Sequence, residues 1–343
     1  MKNPPKSIII SRTDNLGDVV VTLPMAGYIK SIAPETKVYF LGKSYTRSVI
    51  EASSFVDQFI DKEDVLQNPL ILGELNADAI IFVLPDKSMA QAATKAAIPV
   101  RVGTSHKVYH WLYCNERVSF SRRKSDLHEA QLNFKLLKPL QMLTEPSFDQ
   151  IKNWYGLEFD DVDVDFSQWL VADKFNLIVH PKSKGSAKEW GVENYTGLVA
   201  QLPAEDFNVL ITGIKEEGDL LKQQVPQLFE QAHVQDLTGA LSLVQLMSLI
   251  GKADGFLAGS TGPLHIASAL GKFTLGIYPP IRPMHPGRWQ PIGKNAHYIT
   301  LDKECNDCRK SETCACVKSI TIAQIKSKLL EFAENHKRSL DEN

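Results

Sequence analysis

Between Gly259 and His265 the chain reads Gly-Ser-Thr-Gly-Pro-Leu-His, a run of small residues and two hydroxyls set between an apolar stretch and a helical pattern. Small residues let the backbone come close to a ligand. The unpaired N–H groups and positive dipole end of a helix attract phosphate, and the hydroxyls of Ser260 and Thr261 offer further hydrogen bonds. A Ser/Thr-capped turn from strand to helix explains the same residues without a ligand. A second phosphate-type loop runs from His180 to Trp190, with Lys182, Lys184 and Lys188 interleaved with Ser183, Gly185 and Ser186. Lys188 would place a compact positive charge where a leaving phosphate develops its own, a kind of stabilisation that weighs heavily in catalysis. A solvated basic loop is the plainer reading.

Acidic chemistry is offered in two places. In the turn Arg12-Thr13-Asp14-Asn15-Leu16-Gly17-Asp18, Gly17 permits a tight bend and Asp18 opens a helix. Asp18 suits N-capping or dipole complementarity, and equally the general base for an acceptor hydroxyl, with Asp14 competing for either role. Glu216 and Glu217 follow a later strand, where an acid can meet ribose hydroxyls or simply enrich a helix N-terminus.

From Arg101 to Lys124 the basic residues Arg101, Lys107, Arg117, Arg122, Arg123 and Lys124 face a single acid, Glu116, with Tyr109, Trp111 and Tyr113 among them. Such a mixture suits an anionic glycolipid at a membrane face, with Arg101, Arg122 and Arg123 as its contacts. A solvated basic edge remains open, and no RNA-binding signature accompanies the cluster. Of five cysteines, Cys305, Cys308, Cys314 and Cys316 crowd one segment. Their last spacing is too short for ordinary zinc knuckles, so free or paired thiols are favoured over zinc. The acids between Glu158 and Asp165 read as a surface edge or, less simply, as a metal-binding carboxylate pair.

These loops need strands to carry them. Apolar β-rich runs at 7–10, 38–41 and 79–84, and again at 176–180, 208–212, 255–259 and 274–278, alternate with helical stretches and end in Gly, Pro or His. That grammar predicts an α/β protein with parallel sheets covered on both faces, its ligands at the carboxyl ends of the strands. With 343 residues, two domains are expected: 1–168 for an acceptor and 169–325 for a nucleotide donor, followed by a C-terminal helix or tail at 326–343. A net charge of -2 gives no global pull toward nucleic acid. The N-terminal apolar run is too short for a signal peptide, and every longer one is broken by charge or Gly/Pro. A cytoplasmic location with at most peripheral membrane contact is expected.

Together and in this order, Leu16-Gly17-Asp18 with Leu23-Pro24, His180-Pro181 with Lys188-Glu189-Trp190, and Ser260 to Ala267 resemble glycosyltransferase family 9, the heptosyltransferases of the lipopolysaccharide inner core. The resemblance implies a GT-B fold, two Rossmann-like domains facing a cleft. It further implies inverting, metal-independent transfer of a heptose from an ADP-heptose-like donor, with no cofactor. Asp18 then matches the family's proposed base and Lys188 its donor-phosphate lysine. Thr261, Gly262 and His265 match the diphosphate turn, and Glu216 or Glu217 the nucleoside contact. Where the family often carries Asp, this chain has Ser260, which leaves the donor sugar open. A nucleotide-sugar epimerase of the same architecture and a non-catalytic nucleotide-sugar binder are the alternatives.

Overall fold

Aliphatic runs such as Ser7-Ile8-Ile9-Ile10-Ser11 are buried along their whole length, as strands covered on both faces must be. In the computed structural model, which describes residues 4–159, 164–309, 311 and 313–341, these runs build two separate sheets. The first holds β1 (Ser7–Ser11), β2 (Lys37–Gly42), β3 (Gln58–Asp61), β4 (Ala79–Phe82), β5 (Val100–Thr104) and β6 (Glu116–Val118), in the order β3-β2-β1-β4-β5-β6. The second holds β7 (Phe175–His180), β8 (Phe207–Ile211), β9 (Val234–Asp236), β10 (Gly255–Gly259), β11 (Phe273–Ile277) and β12 (Ala296–Ile299), in the order β12-β11-β10-β7-β8-β9. All the strand pairs are parallel. Read from its third strand inward, each sheet has the same topology, the doubly wound Rossmann order. Each therefore reverses direction once, between β1 and β4 in the first unit and between β7 and β10 in the second. The crevice at the carboxyl ends of such a strand pair is where open α/β sheets bind ligands.

The chain divides into compact units at 1–158 and 159–343, ten residues before the expected boundary. Up to Glu158 the backbone is tied to the first unit, with Ser54 N–H donating to Gly156 O at 2.8 Å and Glu158 N–H to Ala52 O at 2.9 Å. The segment expected as a linker, 166–174, instead belongs to the second unit, because the Asn208 amide donates to Trp169 O at 2.7 Å and the Asn176 amide to Val171 O at 3.1 Å. Within the acidic stretch Glu158 to Asp165, residues 160–163 lie outside the described ones.

The C-terminal helix Ile322–Asp341 is no tail. Ile325, Leu329, Phe332 and Ala333 recur at helical spacing and join the core around Phe175 and Phe207. Lys337 pairs with Asp206 at 2.6 Å and His336 lies 3.3 Å from Asp254, so the helix is fastened at its far end as well. Ile325→Val should therefore lower stability by about 1 kcal/mol, read as a reduced denaturant midpoint at unchanged slope.

Candidate functional site

At the switch point of the first unit, β1 delivers Arg12 into the interior, and the short helix Leu16–Val20 follows with Asp18 in its first turn. The buried Arg12 guanidinium gathers three carboxylates. Nε donates to Asp14 Oδ1 at 2.7 Å, one terminal nitrogen pairs with Asp18, and the other donates to Glu129 Oε1 at 3.1 Å. Glu129, fully buried, opens the helix Glu129–Phe134 and is shared with Arg122. Arg122 also reaches the Asn133 side chain at 3.0 Å and Val83 O, just past β4, at 3.1 Å.

Burial is the main influence raising the Asp18 pKa, to about 6; Arg12 opposes it, while Asp14 and Glu129 add to it. Burial alone would lower the pKa of Arg12, but Asp18, Asp14 and Glu129 hold it above its ordinary value. The result is a carboxylate held by a permanent cation and poised to take a proton near neutral pH, the property a general base needs.

The equivalent point of the second unit carries two loops. After β10, Thr261 precedes the helix Gly262–Ala269 without capping it, so the first-turn amides have no side-chain partner at that position. The Thr261 hydroxyl is buried and makes no hydrogen bond among the described residues. Beside it, the loop after β7 bends through Lys184 and Gly185, both with left-handed backbone (φ 48° and 80°). Gly259 lets the two loops touch, since a Cβ there would lie 3.3 Å from Ala187 Cβ and 3.7 Å from Lys188 O. Lys188 is buried, with its ammonium held by the Ser311 carbonyl, while Trp190 anchors the loop by donating to Ile320 O at 2.8 Å.

A cavity of about 720 Å³ opens along this loop, lined by Lys182, Lys188, Arg309, Ser311 and Lys318 among others. Ser260, Thr261 and His265 lie outside its walls. The chemistry of the helix turn therefore stands on its own geometry.

Thr261→Val keeps the shape and removes the hydroxyl. Thermal stability should hold or rise, because a buried polar group without a partner is lost, and if the turn holds a diphosphate, ADP affinity should fall about tenfold by calorimetry. A capping or merely structural hydroxyl would give a stability loss and unchanged ADP binding.

Other expected residues occupy different roles. The Ser183 hydroxyl has Ala187 O and Glu189 Oε1 as its two acceptors in reach, at 3.2 and 3.1 Å, and Ser186 Oγ donates to Ser183 O at 2.8 Å, so these serines build the loop from within. Glu217 accepts from the amides of Ile214 (3.1 Å) and Lys184 (3.2 Å), bridging two loops, whereas Glu216 is exposed. His265 is buried one turn into its helix, and Ser260 lies beside the buried Tyr278 ring, whose pKa burial raises and Ser260 lowers.

The three expected acceptor arginines are not gathered together. Arg101 aligns with Ile80, and through it with Ile9, three residues short of Arg12, which is about 10 Å back along the sheet. Its guanidinium donates to the carbonyls of Tyr113 (2.8 Å) and Ile98 (2.5 Å). Arg122 belongs to the Asp18 cluster, and Arg123 is exposed.

All five cysteines are free thiols, with Cys308 and Cys314 Sγ 3.1 Å apart. Among the described residues no three His, Cys, Asp or Glu side chains form a metal-holding group.

Two Rossmann-like units of one topology, with a carboxylate cluster at one switch point and an uncapped helix turn beside a lysine loop at the other, give the chain the two-unit α/β architecture of the GT-B class. The sequence pattern of glycosyltransferase family 9 (heptosyltransferase) matches residues 71–318. A Haemophilus influenzae protein named "Putative glycosyltransferase" is 31% identical over 315 residues, covering 86% of this chain and 89% of that one. The lipopolysaccharide core heptosyltransferase OpsX of the same organism is 24% identical over 286 residues, 80% of this chain and 79% of its own. The solved structure of Escherichia coli ADP-heptose lipopolysaccharide heptosyltransferase II superposes with a TM-score of 0.72 at 19% identity, covering 97% of this chain and 99% of that one. The chain belongs to glycosyltransferase family 9, the heptosyltransferase family, and is a glycosyltransferase.

Proposed function

We propose that this enzyme transfers a heptose from an ADP-heptose-like donor to a hydroxyl of an anionic inner-core glycolipid, in the cytoplasm and with inversion at the anomeric carbon. In this reading Asp18 removes the acceptor proton as its oxygen attacks. The donor diphosphate takes the first-turn amides of Gly262–Ala269 and the Thr261 hydroxyl, with Ser260 and His265 alongside. Lys188 exchanges the Ser311 carbonyl for a phosphate oxygen and steadies the departing nucleoside diphosphate. Glu216 meets the nucleoside while Glu217 holds the lysine loop in shape. Arg122 acts through Glu129 and Arg12 on Asp18 and so serves as a positioning residue, and the exposed Arg123 is left for the acceptor.

The observation that carries the reading is the buried, unpartnered Thr261 hydroxyl at an uncapped helix N-terminus, in contact through Gly259 with the Lys188 loop. Escherichia coli heptosyltransferase WaaC, similar in fold and solved with ADP-2-deoxy-2-fluoro heptose, supports ADP as the nucleotide.

Calorimetry with ADP, UDP and GDP tests the donor half: ADP should bind at least tenfold more tightly. With ADP-heptose, ADP should appear only when a glycolipid acceptor is added, and a chelator should leave the rate unchanged. Conversion of the nucleotide sugar without acceptor, or tight binding with no turnover under either condition, would overturn the proposed transfer to a glycolipid hydroxyl.

A further inference from the structure

The helix Val108–Tyr113 follows β5 from the carboxyl edge of the first sheet, the edge that carries Asp18 two strands away. Its inner face packs normally, with His110 fully buried and Tyr109 and Tyr113 half-buried. The outer face does not. Val108 is 82% exposed, Trp111 62% and Leu112 73%, at the i, i+3, i+4 spacing of a single helical stripe. No other helix among the described residues exposes three large apolar side chains.

The setting of that stripe narrows what covers it. Arg117 stacks its guanidinium 4.5 Å from the Trp111 ring centroid. Lys107 is exposed at the head of the helix. His106 packs edge-on against Phe120 at 6.3 Å, and the exposed Arg123 and Lys124 follow Phe120 within four residues of sequence. The acids of this region are the exposed Glu116 and Asp126 and the largely covered Asp86, whose charge acts on Tyr109 and which pairs with Lys62 at 2.8 Å. An apolar centre within a basic rim complements an anionic surface that also offers hydrocarbon. A protein partner would need both an apolar socket and an acidic rim, whereas a bilayer with anionic headgroups supplies both in layers.

Trp111 fits that surface in a further respect. Its indole N–H already donates to Ser105 O at 2.8 Å, so the ring can enter the headgroup and acyl boundary without stranding a donor.

We infer that this helix is a lipid-docking surface, which seats the first unit on an anionic bilayer with Val108, Trp111 and Leu112 at the acyl boundary and Lys107, Arg117 and Lys124 among the phosphates. The inference deepens the acceptor half of the proposed function and rests on it for its purpose, since a glycolipid acceptor sits in such a surface. Docking shortens the acceptor's search for Asp18 to one leaflet.

Full-length protein is sedimented with phosphatidylcholine vesicles, with or without phosphatidylglycerol as a third of the lipid. The wild type should partition at least tenfold more strongly onto the anionic vesicles, and the difference should shrink as salt is raised. Val108→Ser with Leu112→Ser should lose about tenfold on anionic vesicles at every salt concentration. Lys107→Glu with Lys124→Glu should fall to the neutral-vesicle level. Because all four positions are exposed, both variants should match the wild type in thermal unfolding and in ADP binding by calorimetry.

Equal vesicle binding by wild type and variants, or equal binding to neutral and anionic vesicles, would overturn the inference. So would a wild-type dimer that Val108→Ser with Leu112→Ser dissolves, or binding to polyuridylate without binding to vesicles. Absence of ADP binding in all three proteins, with the vesicle pattern intact, would instead remove the proposed function and leave the docking surface standing.

Discussion

Asp18→Asn should reduce sugar transfer about a thousandfold while leaving ADP affinity within twofold, because a positioned general base contributes about 10²–10⁴ in rate and touches only the acceptor proton. The wild-type rate should follow the ionisation of the same group. With the pKa raised by burial to about 6, kcat should climb with pH through that value and level off above it. Below it the rate should fall tenfold per unit, and Asp18→Asn should lose this acid limb.

Stability should move the other way. In the unfolded chain Asp18 titrates near its ordinary 3.8, so between that value and about 6 the folded state binds the extra proton. Its ionisation therefore costs folding free energy, and the contribution becomes less favourable as pH rises across this window. Above pH 7 Asp18→Asn should unfold no earlier than the wild type. A variant with normal kcat and an unchanged acid limb would take Asp18 out of the base role.

Arg12→Met should destabilise the protein by about 3–5 kcal/mol at pH 7, the cost of removing one partner from a buried charge cluster. Arg12 is almost wholly enclosed, and without it Asp14, Asp18 and Glu129 lose the cation they share, with Arg122 still paired to Glu129. Three crowded carboxylates take up protons more readily in the folded state than in the unfolded one, so the deficit should shrink as the pH is lowered toward 5. Adding Glu129→Gln should recover part of the loss, because it removes the charge with the least access to water. Urea titrations of the single and double variants across pH 5–8 would check this. A pH-independent deficit that Glu129→Gln fails to relieve would mean that packing of the arginine stem, rather than its charge, holds the cluster together.

The two predictions depend on sequence signals of very different strength. Asp18 stood out because it follows a strand and a glycine turn within a few residues, and local chemistry of that kind survives in a one-dimensional reading. The same holds for Thr261 and Lys188, which sit in loops directly after β10 and β7. Glu129 did not stand out. Its bond to Arg12 spans 117 positions, and only the parallel crossover topology brings them together. The signal present in the sequence is a charged residue followed by the apolar Ala130, Leu132 and Phe134, all of which the fold buries. Arg101 shows the opposite error. Proximity in sequence grouped it with Arg122, but the carbonyls of Tyr113 and Ile98 claim its guanidinium, whereas Arg122 joins Glu129. The C-terminal helix was expected at its position, yet its role as a wall of the second core depends on Phe175, Phe207 and Phe273, which lie far upstream.

The shared strand order of the two sheets has a consequence for how reactants are sorted. One topological template carries opposite electrical polarity in its two copies. In the first, three carboxylates outnumber the two guanidiniums of Arg12 and Arg122. In the second, Lys182, Lys184 and Lys188 outnumber Glu189 and Glu217. Under the proposed function a diphosphate is repelled at the first crevice and drawn to the second, so the two halves, alike in backbone, do not compete for the same end of the donor. Duplicated architecture with inverted charge would then sort the reactants before any sugar-specific contact is made.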